Sequence, residues 1–146
     1  MGRLWPKPAA YVLPAAVLGG ILPDFDMIWF YLIDDRAFHH HRYWVHIPAF
    51  WAMVAAVTLP LVTLFARRFL MAAFAFFAAL LVHVCLDTIG GDIMWRWPWS
   101  DTFTSLVSVP ARYDNWVLNF VLHPVFILEL MIWAAALWLW FRKANQ

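Results

Sequence analysis

The chain is predicted to fold as an all-α integral membrane bundle of about four transmembrane helices, with an interfacial helix and a cap loop at one end. Hydrophobic residues fill 65% of its 146 positions and charged residues only 13%, and the mean hydropathy is +0.71. Soluble domains are about half apolar and a quarter charged. Long uncharged apolar runs recur along the sequence. Ionisable residues flank those runs in dense clusters, eleven of the fifteen Asp, Glu and His residues falling between Asp24 and Asp92.

At this length a single domain, 1–146, is expected, with the membrane bundle as its core. Arg3 and Lys7 precede an apolar run that enters Pro23-Asp24 without a small-residue cleavage site, so the start reads as a retained first helix. Pro8 to Leu22 is the expected first span. Its fifteen residues, with Pro14 inside, cross a bilayer only if the bilayer thins, the helix extends back to Leu4, or other helices shield it. Met27 to Ile33 is too short to span and suits an interfacial helix or the bundle wall. Ile47 to Ala66 runs twenty residues without a charge, and Phe69 to Leu86 runs eighteen with His83 inside. Both have spanning length, and Arg67-Arg68 between them makes a tight hairpin. Trp116 to Phe141 is the last span, with Trp133, Trp138 and Trp140 near its basic end, where an aromatic belt sits. Ile89 to Asn115, rich in Trp, Pro and Ser, is the longest irregular stretch and is expected to cap one end.

Four spans put Arg3, Lys7, Arg67, Arg68, Arg142 and Lys143 on one side, which is cytoplasmic by the positive-inside rule. The other side receives Arg36, Arg42, Arg96, Arg112 and eight of the nine acids. The same topology carries Asp24, Asp26, His41, His46, His83, Asp87 and His123 to that extracytoplasmic face. Cys85 is alone, which excludes an intramolecular disulfide and suggests plain packing. No nucleic-acid-binding pattern is present.

Imidazoles and carboxylates beside hydrocarbon cost free energy unless they pair or bind a cation. His83 and Asp87 are four apart in a helical segment, so one face offers both to a single ion; an interhelical His-Asp tether is the plainer reading. Asp24 and Asp26 follow a proline, which suits an extended turn presenting two carboxylates, or one carboxylate and a helix cap. His39, His40, His41 and His46 place four imidazoles within eight residues, a density with few structural uses, and metal ligation leads among them. Pro48 biases Ile47 away from helix, which puts His46 just before the second span or in its first turn. Arg42 suits a substrate phosphate or carboxylate, or a salt bridge to a nearby acid. His39, His40, Asp34 and His123 stay open as further ligands. Glu129 reads as an interhelical hydrogen-bond partner or a proton relay.

Leu22-Pro23-Asp24-Phe25-Asp26, then His41-Arg42 with His46, then His83-x-x-x-Asp87 ahead of Trp97-Pro98 resembles the YdjM-like family of predicted inner-membrane metal-dependent hydrolases. The resemblance covers roughly 19–100, with three motifs in the family's order. Val45 and Ile47 stand where the family usually has Thr and Ser, and no histidine precedes His39. The family is thought to be related to the zinc phospholipase C and P1 nuclease group, all-helical enzymes that hold zinc clusters and cleave phosphodiesters. The resemblance implies zinc, phosphoester substrates, a lipid connection and a bacterial inner-membrane location.

The expected protein is therefore a membrane-bound hydrolase using zinc or another divalent metal, two or more ions, on a lipid or lipid-linked phosphate. Asp24, Asp26, His41, His46, His83 and Asp87 are the candidate metal ligands, and Arg42 and Asp26 the candidate catalytic residues. Six ligands exceed one tetrahedral zinc. The alternative is a non-enzymatic metal-binding subunit or carrier, although spans two and three have almost no polar groups to carry an ion beyond His83. A structural protein with inert His-Asp tethers is a third possibility.

Overall fold

The computed structural model describes residues 7–108, 110 and 112–144. Arg3, Leu4 and the side chain of Lys143, which enter the sequence-based topology, lie outside the described residues. The described chain is helical without strands, apart from one isolated bridge between Ile93 and Thr104. It divides into two compact units, Met1–Ser105 and Leu106–Gln146.

In the first unit, a 3-10 turn at Pro8–Tyr11 leads into α1, Val12–Ile21. Pro14 sits in the first turn of α1, where its missing N–H leaves no helical bond unmade. A second 3-10 turn, Pro23–Phe25, opens α2, Asp26–Leu32. The extended turn expected around Asp24 is therefore helical, because proline at a first helical position is already set at the helical φ. Turns at His40–Arg42 and Trp44–His46 precede α3, Pro48–Phe65, and Ile47 is extended at φ −89° and ψ 112°, as a residue before proline prefers. A turn at Arg67–Phe69 leads into α4, Leu70–Gly90, which runs four residues past Leu86 and holds His83 and Asp87 in one helix, as their spacing predicts.

Pro48–Phe65, Arg67–Gly90 and Pro124–Arg142 are each long and apolar enough to cross a membrane. Pro8–Ile21 and Pro23–Leu32 form a pair bent by 49°, which makes a fourth span if the pair is counted as one. The described residues are thus all-α, with three to four helices of spanning character.

α1 packs along α4 through small residues. Without lipid-versus-water hydrophobicity to draw helices together, close backbone approach and dispersion do so. At Gly19 the approach is so tight that an added Cβ would overlap the Phe76 carbonyl, whereas Gly20 faces open space. Tyr11 and Phe69 pack edge to face at 5.4 Å, which places Lys7, Arg67 and Arg68 toward one end of this helix pair. At the other end lies the buried cluster Val45, Trp51, Leu80, Val84 and Ile93, with Trp51 donating its indole N–H to the Val45 carbonyl at 2.8 Å. Cys85 is exposed on α4 rather than packed.

The second unit holds α5, Trp116–Val121, and α6, Pro124–Ala144. The expected continuous last span is broken at His123-Pro124. Proline has no N–H to continue the ladder and disfavours helix at the residue before it, so α6 restarts with Pro124 and the His123 Nδ1 accepts the Val125 amide at 3.3 Å.

Candidate metal centre

Four separate segments of the first unit meet at the end of α4. His83 and Asp87 lie one turn apart, with His83 Nε2 3.1 Å from Asp87 Oδ2. Close packing of α1 brings the Gly20 carbonyl within 2.7 Å of His83 Nδ1. A carbonyl only accepts, so Nδ1 carries the proton and Nε2 keeps its lone pair. That lone pair faces Asp24, whose Oδ1 is 3.6 Å away from the turn after α1. The Asp24 side chain is 59% exposed and the Asp87 side chain 24%, so this side of the centre is open.

His46 forms the middle of the cluster and is wholly buried. Its Nε2 is 3.6 Å from Asp87 Oδ2 and its Nδ1 is 2.8 Å from Asp26 Oδ2. Asp26, the first residue of α2, also lies 3.8 Å from His40 Nδ1. The histidine turn is held from several directions. The His41 amide donates to His39 Nδ1 at 3.2 Å, and His41 Nδ1 donates to the Asp92 carbonyl at 3.2 Å. Burial, reinforced by His40 and His46, pushes the His41 imidazole down to about 3, so it is neutral at physiological pH with Nε2 as an acceptor. Gly91 leaves the space this ring needs, since a Cβ there would press on His41 Cε1.

Seven buried side-chain atoms of this cluster have no hydrogen-bond partner among the described residues: both oxygens of Asp26, Nδ1 of His40, both ring nitrogens of His46, Nε2 of His83 and Oδ2 of Asp87. His46 Nδ1 and Asp26 Oδ2 are close, yet not aligned for a hydrogen bond. Buried polar atoms are ordinarily satisfied, and the carboxylates of Asp26 and Asp87, with that of Asp24 at the exposed rim, repel one another. A divalent cation answers both conditions. Ligand atoms of Asp24, His46 and His83 lie within 4.8 Å of one another, as do those of His40, His41 and His46. Imidazole and carboxylate together suit zinc and its transition-metal neighbours.

All six candidate ligands named from the sequence therefore fall in this one cluster. His40 joins them, although the sequence left it open. Asp34 does not; it accepts a short hydrogen bond from the Tyr43 hydroxyl, which ties the loop after α2 to the histidine segment. Arg42 is exposed beside His41 and forms no ion pair among the described residues. His123 lies in the second unit. The contributions of the Gly20 and Asp92 carbonyls have no residue-type signal, whereas the Gly19-Gly20 pair in an apolar helix is a recognisable mark of close packing.

No curated protein and no solved structure matches the chain. The family described as YdjM inner membrane protein matches it over residues 2–144. That match spans nearly the whole sequence and agrees with the apolar helices of spanning length, and the chain belongs to the YdjM inner membrane protein family.

Proposed function

We propose that the chain is a metal-dependent hydrolase that cleaves a phosphoester of a lipid or lipid-linked substrate. The observation that supports this best is the convergence of unsatisfied buried nitrogens and oxygens beside three carboxylates. Asp24, His46, His83 and Asp87 would hold the ion, zinc being the first candidate. When bound, such an ion supplies a Lewis acid and a source of hydroxide at neutral pH. The Gly20 carbonyl keeps the His83 lone pair pointed inward, as partners behind a ligand commonly do. The exposed Asp24 side leaves room for a substrate, and Arg42 offers a planar fork to neutralise phosphate charge.

Depth supports a membrane substrate. His83 and Asp87 lie sixteen and twenty residues beyond Arg67, or about 24 and 30 Å along a helix that rises about 1.5 Å per residue. The centre thus sits at the far edge of a hydrocarbon layer about 30 Å thick, where lipid headgroups begin. Lys7, Arg67 and Arg68 mark the opposite end as cytoplasmic, so the site faces the extracytoplasmic side. With Cys85 replaced by Ser, an impermeant maleimide added to intact cells should label a cysteine placed at Asp92 and spare one at Arg68. The opposite pattern would invert the orientation and put the substrate pool in the cytoplasm.

Hydrolysis is tested with Arg42→Lys. Lysine keeps the charge and loses the bidentate fork, so zinc content should persist while turnover of phospholipid or chromogenic phosphodiesters falls about tenfold, or ~1.4 kcal/mol of transition-state stabilisation. A zinc-loaded wild-type protein with no hydrolysis of phospholipids, lipid-linked phosphates or simple phosphoesters would leave a metal-binding subunit as the better reading.

A further inference from the structure

We infer that the first unit binds one anionic phospholipid at the end opposite the metal centre, with an acyl chain in the groove between α1, α3 and α4 and the phosphate at Lys7, Arg67 and Arg68. This site is separate from the proposed hydrolytic centre and does not depend on it. α1 and α3 both pack on α4 and leave a groove of about 430 Å³ among the three helices. Ala15 and Leu18 of α1, Val54 and Thr58 of α3, and Phe69 and Phe77 at α4 are among the residues that line it. The Thr58 hydroxyl is the only oxygen on a lining side chain, so the groove offers an occupant dispersion contact and almost no hydrogen bonding.

The groove has the depth of one leaflet. Phe77 lies eight residues beyond Phe69, about 12 Å of helix at about 1.5 Å per residue, against roughly 15 Å for half of a hydrocarbon layer about 30 Å thick. Its Trp51 wall belongs to the buried cluster with Leu80 and Val84, and that cluster stands between the groove and the metal centre. A chain lodged here is therefore not that of a substrate held at the opposite end.

Charge marks the mouth of the groove. The Arg68 guanidinium lies 4.7 Å over the Phe69 ring, and the same ring packs on Tyr11, whose turn starts at Pro8 beside Lys7. Lys7, Arg67 and Arg68 are all exposed. No acid occurs from Lys7 to Leu22 or from Pro48 to Leu86, and the ion pairs among the described residues all lie in the metal centre. Three uncompensated cations around the open end of an apolar groove complement a phosphate that carries an acyl chain. Arginine suits this junction, because its stem rests on hydrocarbon while its fork takes two phosphate oxygens. A second apolar groove, of about 400 Å³ along Pro60, Leu64 and Phe74, has no cation over a lining ring among the described residues.

Native mass spectrometry tests the site on the full chain, stripped of lipid in detergent and offered equal amounts of phosphatidylglycerol and phosphatidylcholine with identical acyl chains. Wild type should retain one phosphatidylglycerol with about tenfold preference over phosphatidylcholine. Arg67→Gln with Arg68→Gln alters exposed side chains only, and should bring the preference to within about twofold with helical content and size-exclusion profile unchanged. Thr58→Phe, which fills the groove, should release both lipids, and Leu64→Phe in the second groove should release neither. Equal retention of the two lipids by wild type, or a preference that survives loss of both arginines, would overturn the headgroup site. Release by Leu64→Phe and not by Thr58→Phe would overturn the choice of groove. A wild type that retains no phospholipid would overturn the whole site and leave the groove to a protein segment.

Discussion

Replacing His83 or Asp87 by Ala should weaken zinc binding by at least about 100-fold, while His123→Ala leaves it unchanged. Loss of an outer partner alone commonly costs 10–100-fold, and these two side chains lie inside the cluster itself. His83 Nε2 has nowhere else to direct its lone pair, with Nδ1 committed to Gly20. Asp87 Oδ2 is shared between His83 at 3.1 Å and His46 at 3.6 Å, so its removal unbalances two imidazoles at once. His123 instead caps the start of α6, and its loss should cost stability of about 1 kcal/mol. Zinc per chain after equilibrium dialysis decides the order. If His123→Ala lost more metal than His83→Ala, the ligand set would be wrong.

Gly19→Ala should destabilise the protein by about 1–3 kcal/mol, the usual cost of forcing atoms into a packed contact. The obstacle is the Phe76 backbone carbonyl, which cannot rotate away as a side-chain tip would. Gly20→Ala, one residue on, faces open space and should be neutral or stabilising by up to about 1 kcal/mol through helix propensity. The pair also tests how packing reaches the site. Pushing α1 off α4 draws the Gly20 carbonyl away from His83 Nδ1, so Gly19→Ala should lower zinc affinity about 10–100-fold as well. Thermal unfolding in detergent and zinc titration measure the two effects. Equal behaviour of the two alanine variants in both measurements would show that the glycine contact neither stabilises the bundle nor positions the histidine.

Much of this was legible in the sequence because lipid imposes strict rules. A span needs about 20 apolar residues, and an imidazole or carboxylate beside such a span needs a partner. Those rules located the apolar segments and singled out Asp24, Asp26, His41, His46, His83 and Asp87, which meet in one cluster of the first unit. Two departures come from proline: Pro23 and Pro124 both open helices, so Asp24 lies in a helical turn rather than an extended one and the last apolar segment starts anew at Pro124.

Residue types alone determined the class of protein, its apolar segments and the chemistry of its donor set, because burial cost and ligand character are properties of side chains. Tertiary structure alone decided which nitrogen of His41 and of His83 is available and that His40 belongs to the cluster. It also decided that His46 stands between two groups of donors. Those outcomes depend on where the Gly20 and Asp92 carbonyls come to rest. Every residue carries the same carbonyl, so its position is set by helix packing, here by a contact at Gly19 that no side chain can make.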